Sequence, residues 1–161
     1  VLVLLAAGLA IIPPAGAEPG ALSSSTPPVK VMPAPVIGLS VLSRSLNMVV
    51  HKGLALHYSV NEPMAGYIQL LLASSLADRL GIEGDDASGL PAGTAPQRVL
   101  ATALLVSSRG GSSMIRLKLS KRDAKRLAGL HTVSVTLRVI AHNGSTDPVA
   151  TTVICAGTLS R

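Results

Sequence analysis

The chain has 161 residues, 48% of them hydrophobic, with no Phe or Trp and with Tyr58 and Tyr67 as its only aromatic side chains. That length allows one domain plus a leader, and the interior must be built from aliphatic side chains. The formal net charge is +6, carried largely by one local cluster, and the single cysteine, Cys155, excludes an internal disulfide.

Val1 to Ile12 is an unbroken apolar run, followed by Pro13, Pro14 and Ala15-Gly16-Ala17. An apolar segment of this length before an A-x-A site is what signal peptidase recognises. It is too short to cross a bilayer, which takes about 20 residues. Residues 1–17 are therefore expected to be a signal peptide truncated at its front, leaving a mature chain with no transmembrane span; with a longer upstream segment the alternative is an uncleaved anchor. Residues 18–35, rich in Pro, Ala and Ser, cannot bury enough apolar surface to order themselves and read as a disordered linker. The folded domain is expected over 36–161.

Within it, Val36 to Val50 reads as a first strand, interrupted near Arg44 to Asn47, before a turn at Lys52-Gly53. Leu54, Leu56, Tyr58 and Val60 alternate with Ala55, His57 and Ser59 in a second strand that stops at Asn61-Glu62-Pro63. Met64 to Ala73 is a third, with Gly66, Ile68, Leu70 and Leu72 on one face. Its other face holds Tyr67, Gln69 and Leu71, so that side is expected to be partly covered too. At Ser74 to Gly81 the period changes: Leu76 and Leu80 are four apart and Gly81 closes a short helix.

Ile82 to Gln97 carries Gly84, Gly89, Pro91, Gly93 and Pro96 and reads as a long exposed loop with an acidic start at Glu83, Asp85 and Asp86. Arg98 to Ser107 resumes as a strand that turns at Arg109-Gly110-Gly111. Ile115, Leu117 and Leu119 then alternate with Arg116 and Lys118, leading to a basic helical turn framed by Ser120 and Asp123. Val133 to Ala141 is the longest period-two run in the chain and is expected to be a central strand. Asn143-Gly144 is a hairpin signal, and Val149 to Cys155, with Pro148 at its start, gives the last strand. About seven strands at intervals of roughly ten residues, with two short helical turns, predict an all-β, antiparallel Greek-key β-sandwich.

Lys52-Gly53-Leu54, Asn61-Glu62-Pro63, the Leu76-Ala77-Asp78-Arg79-Leu80-Gly81 helix, Leu117-Lys118-Leu119-Ser120 before the basic helix, and a Val-rich strand ending in Asn-Gly occur here in one order. In that order they resemble the immunoglobulin-like or fibronectin type III-like modules of secreted bacterial proteins, over about Leu39 to Ile154. Such modules often end the penultimate strand in an acidic turn, whereas this chain has Ala141-His142-Asn143-Gly144. The resemblance implies a sandwich fold and a secreted or extracellular setting at the cell envelope. It implies no catalytic residues, because such modules serve as spacers, adhesins and accessory domains.

Ser120 and Asp123 have capping-box spacing: the Ser hydroxyl can accept from the Asp123 amide, and the carboxylate can answer the Ser120 amide. Lys121 and Lys125, like Arg122 and Arg126, lie four apart and place like charges side by side, which costs a few tenths of a kcal/mol per pair. Stability alone does not favour that arrangement, so Lys121, Arg122, Lys125 and Arg126 are the candidate site for an anionic partner. A merely solvated basic face is the competing reading. Without stacking platforms, no specific nucleic-acid binding is expected.

His51, His57, His131 and His142 share no ligand spacing, the Glu83-to-Asp86 loop lacks the EF-hand pattern, and no G-x-S-x-G elbow occurs. No metal, cofactor or catalytic residue is therefore expected. Cys155, in step with Val153, is expected to point inward as a small hydrophobe; exposed on an edge strand in an oxidising compartment, it would instead invite an intermolecular disulfide. The sequence thus reads as a non-catalytic binding or structural module whose partner is a cell-envelope polymer or an extracellular protein. The polymer would be met by the basic turn, and the protein by the Ile82–Gln97 loop or by edge-strand pairing with a neighbouring chain. An accessory domain of a secreted hydrolase, or an enzyme whose site is assembled from distant loops, is the alternative.

Overall fold

In the computed structural model, which describes residues 36–143 and 150–161, the alternating runs become seven strands in two antiparallel sheets, with three helices. The strands are β1 (Ile37–Val41), β2 (Leu54–Val60), β3 (Met64–Ala73), β4 (Gln97–Ser107), β5 (Gly111–Leu117), β6 (Thr132–Asn143) and β7 (Ala150–Ser160). The smaller sheet has the order β1-β2-β5 and the larger β4-β3-β6-β7. The long run β6 is an interior strand, as its alternation predicts, lying between β3 and β7. The leader and linker, and the Gly144 and Pro148 turn residues, lie outside the described residues.

Buried side chains of both sheets form one cluster. Leu56, Ile68, Leu72, Leu105, Leu117 and Val139 are fully shielded, and Tyr58 is the only aromatic residue in the interior. Complete burial of each aliphatic side chain stabilises by about 1.5–3 kcal/mol, so methyl and methylene groups supply the stability that aromatics and disulfides supply elsewhere. In β2, Leu54, Leu56, Tyr58 and Val60 are buried while the residues between them are half-exposed, as strict alternation requires.

The structure corrects the region before β2. The break near Arg44 to Asn47 is the start of a third helix, α1 (Leu46–Lys52), not a gap in one strand. Ser45 caps it by accepting from the Met48 amide at 3.4 Å, Leu46 and Val49 are its buried pair, and Gly53 (φ 82°) ends it. The other helices fall where the period change and the capping box place them: α2 (Ser74–Leu80), ended by left-handed Gly81, and α3 (Lys121–Leu127). None of the three is long and apolar enough to cross a membrane.

Register gathers the helices. Leu54 at the start of β2 faces Leu117 at the end of β5, and Ala73 at the end of β3 faces Gln97 at the start of β4. The end of α1, the start of α2 and the start of α3 thus join strand ends, and α1 also touches α3. One end of the domain is helical and the other is made of turns.

Candidate basic site at the helical end

The basic turn is built by its cap. Ser120 accepts from the Asp123 amide at 3.1 Å, as the spacing predicts. The carboxylate, however, takes the Ser120 hydroxyl at 2.6 Å, so the two side chains close on each other. Asp123 is buried there, and Leu127 one turn later anchors the helix in the core. The four candidate cations are thereby raised on one short helix, but they do not share one environment.

Arg122 is held. Its two terminal nitrogens donate to both carboxylate oxygens of Glu83, each at 2.9 Å, in the parallel geometry that favours Arg over Lys. The Arg122 hydrogen bond, and then its charge, keep the Glu83 carboxyl below its ordinary range. A carboxylate with a lowered folded value contributes stability above its unfolded value and loses it as the pH falls through the folded one. We expect an NMR titration to place the Glu83 carboxyl below the ordinary carboxylate range, and Arg122→Gln to return it to that range. An unchanged Glu83 midpoint in that variant would show that the pair does not persist in water.

Arg126 is half-buried and lies against the C-terminus of α2: a Cβ on Gly81 would stand 3.0 Å from its Nη1. A cation at the negative end of a helix is favourably placed, so this arginine packs α3 on α2. The like-charge spacing is thus offset by Glu83, 39 residues from Arg122 in sequence, and by the C-terminal end of α2 beside Arg126, whose Nη1 is buried without a hydrogen-bond partner among the described residues. Lys121 and Lys125 are different. Both are exposed and form no ion pair with any described residue, as is true of Lys118 just before the helix. Arg116 donates to the Lys52 carbonyl at 3.0 Å and ties the end of β5 to α1, which brings Lys52 to the same end. Lys52 belongs with this patch, although its sequence position, far from the others, gave no sign of it.

The Ile82–Gln97 loop is not free either. Val99 donates to the Asp85 carbonyl and Ala87 to that of Gln97, so the loop's first half pairs along the edge of β4. Arg98 reaches Asp78 at 2.8 Å, Asp86 at 3.7 Å and the Ile82 carbonyl at 3.0 Å. Arg138 of β6, only 2% exposed, donates to Gln69 Oε1 and to the Ser88 carbonyl. Two arginines, Arg98 of β4 and Arg138 of β6, therefore clamp the loop. Leu71 on that face is fully buried, which agrees with a second covered side of β3.

Chemically, the helical end offers free ammonium groups and no stacking surface: Tyr58 is in the core and Tyr67 is half-buried. Among the described residues, no group of three His, Cys, Asp or Glu side chains is placed to hold a metal. Cys155 does not point into a closed core; it is exposed. It stands opposite Leu137 on the inward side of its sheet, but β7 is the sheet's last strand and leaves it uncovered. Comparison of the chain with protein-family models, with curated proteins and with solved structures returns no match.

Proposed function

We propose that this chain is a non-catalytic, exported Greek-key sandwich module that binds an anionic polymer of the cell envelope through the lysines of its helical end. The strand orders β1-β2-β5 and β4-β3-β6-β7 support the Greek-key reading, because β1, β2 and β5 form one layer while β3, β4, β6 and β7 form the other. The apolar leader and the resemblance to secreted immunoglobulin-like and fibronectin type III-like modules support export. The observation that carries the binding reading is the division of labour among the cations. Arg122 is paired with Glu83 and Arg126 is half-buried against α2, whereas Lys118, Lys121 and Lys125 are exposed without acidic partners among the described residues. A lysine is a mobile point charge that suits a flexible polyanion better than it suits a fixed internal partner.

The test is retention on immobilised heparin as a generic polyanion. The wild-type chain is expected to bind at low salt and elute as salt rises, since the screening length falls from about 10 Å at 0.1 M to about 3 Å at 1 M. Reversing Lys118, Lys121 and Lys125 to Glu, with Arg122 and Arg126 left in place to keep the fold, should abolish retention. Elution of this variant at the wild-type salt concentration would remove the proposal.

A further inference from the structure

We propose that two copies of this chain pair edge to edge through β7, antiparallel and centred on Cys155, to join their four-stranded sheets into one. The backbone of β7 points alternately toward β6 and away from it. The Ser160 amide donates at 3.0 Å to the Arg44 carbonyl, away from β6, while the next amide, Arg161, donates at 2.9 Å to His131 on the β6 side. Backbone groups alternate along a strand, so Thr152, Ile154, Ala156 and Thr158 also present their N–H and C=O groups outward. None of these groups meets another described residue's backbone. Among the described residues, the edge from Thr152 to Thr158 is an open ladder.

Native sheets guard such edges with charges, prolines, bulges or covering loops. The opposite edge of the same sheet is guarded at its start: the loop from Asp85 to Ala87 pairs with Gln97 to Val99, and a register shift at Leu70/Leu71 interrupts the ladder of β4 with β3. By contrast, β7 pairs with β6 without a register shift and, from Ala150 to Ser160, has no charged residue and no proline. A strand without charge meets no repulsion from its own copy, which is what self-pairing about a two-fold axis requires.

The register follows from the open groups. In an antiparallel pair of identical strands the two-fold axis passes between the two copies of one residue, and only an axis between the Cys155 copies matches the four outward residues fully with themselves: Thr152 with Thr158 and Ile154 with Ala156, twice over. Cys155 then faces its copy at a non-hydrogen-bonded position, where Cα atoms are about 4.5 Å apart, within the range a disulfide spans. The pairing also falls beside a cavity of about 330 Å³ lined by Leu39, Val41 and Leu54 of the smaller sheet and by Leu137, Cys155 and Leu159 of the larger. The open seam between the two sheets is thus on the edge that the second copy would occupy.

Sedimentation of the full chain in reductant is expected to show a concentration-dependent monomer–dimer equilibrium. Ala156→Pro removes an outward N–H and leaves the β6 ladder intact, so it should shift the chain to monomer with little change in melting temperature. Cys155→Pro, which removes an N–H bonded to β6, should lower the melting temperature. As a register readout, oxidised glutathione is added to the wild-type dimer. Two Cys155 thiols form one disulfide, and the two electrons and protons reduce the oxidant to two glutathione molecules, giving a dimer band without reductant. A wild-type chain that is monomeric at all concentrations overturns the pairing. So does a dimer that survives Ala156→Pro but is lost in Leu104→Lys on β4. A dimer lost in Ala156→Pro but not cross-linked by the oxidant overturns the Cys155 register.

Discussion

Gln69→Leu is expected to destabilise the protein by about 3 kcal/mol, and by more than the double change Gln69→Leu with Arg138→Met. Arg138 is the one buried cation of the described domain, and it has no carboxylate in reach. Its charge is balanced by carbonyl dipoles alone: Gln69 Oε1, which accepts from Nε at 3.0 Å and from Nη2 at 2.5 Å, and the Ser88 carbonyl. A hydrogen bond to a charged group contributes about 1.5–3 kcal/mol, and stranding the group in a site shielded from water costs its desolvation as well. Gln69→Leu removes two of these bonds and leaves the guanidinium in place. The double variant removes the charge together with its acceptor, and replacing a buried polar cluster by apolar groups of similar shape is often nearly neutral. Urea melts of the two single variants and the double variant measure the difference as a coupling free energy. Arg138→Met and the double variant should both release the loop from Ser88, seen as faster proteolysis between Glu83 and Thr94. A Gln69→Leu protein as stable as wild type would show that water, not the amide, solvates Arg138.

What the sequence revealed and what it hid follow from the range of each interaction. The strands β2, β3 and β6 are legible because one face of each is buried, and burial on one face imposes the two-residue period directly on the chain. The helices α2 and α3 are legible because their end signals, Gly81 and Ser120-x-x-Asp123, are local. Helix α1 is hidden by composition: Val49 and Val50 favour strands in isolation, and the Leu46 and Val49 pair gains its helical sense only by packing into the core. The last strand runs five residues past Cys155 because β6 offers ladder partners down to Thr132, although Ala156 and Gly157 carry no strand preference of their own. Alternation gave the side of the sheet on which Cys155 lies but not its depth, since depth is set by where the other sheet ends. The partners of Arg98, Arg122 and Arg138 lie 12 to 69 residues away. Their spacing could show charge but not who neutralises it.

Gly66→Ala should be the most damaging Gly→Ala change among the described residues. Gly66 lies in β3, which hydrogen-bonds to β4 on one side and β6 on the other, opposite Leu105 and Ala141. A Cβ there would stand 2.1 Å from the Ile140 carbonyl oxygen and 2.7 Å from the Ala141 Cα. Both obstacles are main chain of β6, so no rotamer change can clear them. Nor can β3 move away, because its other edge is fixed to β4. Overpacked cores typically lose about 1–3 kcal/mol when side chains can give way. Here the β3–β6 ladder itself has to open, and the loss should exceed that range. Gly157→Ala supplies the comparison within the same sheet: a Cβ at Gly157 meets nothing within 4 Å, and the expected change is within about 0.5 kcal/mol. Thermal melts of the two variants at matched concentration decide the matter, with Gly66→Ala falling far below wild type and Gly157→Ala beside it. Equal melting temperatures would mean that β6 can yield at Ile140 without losing its place between β3 and β7, and that the four-stranded sheet is more pliable than its continuous pairing implies.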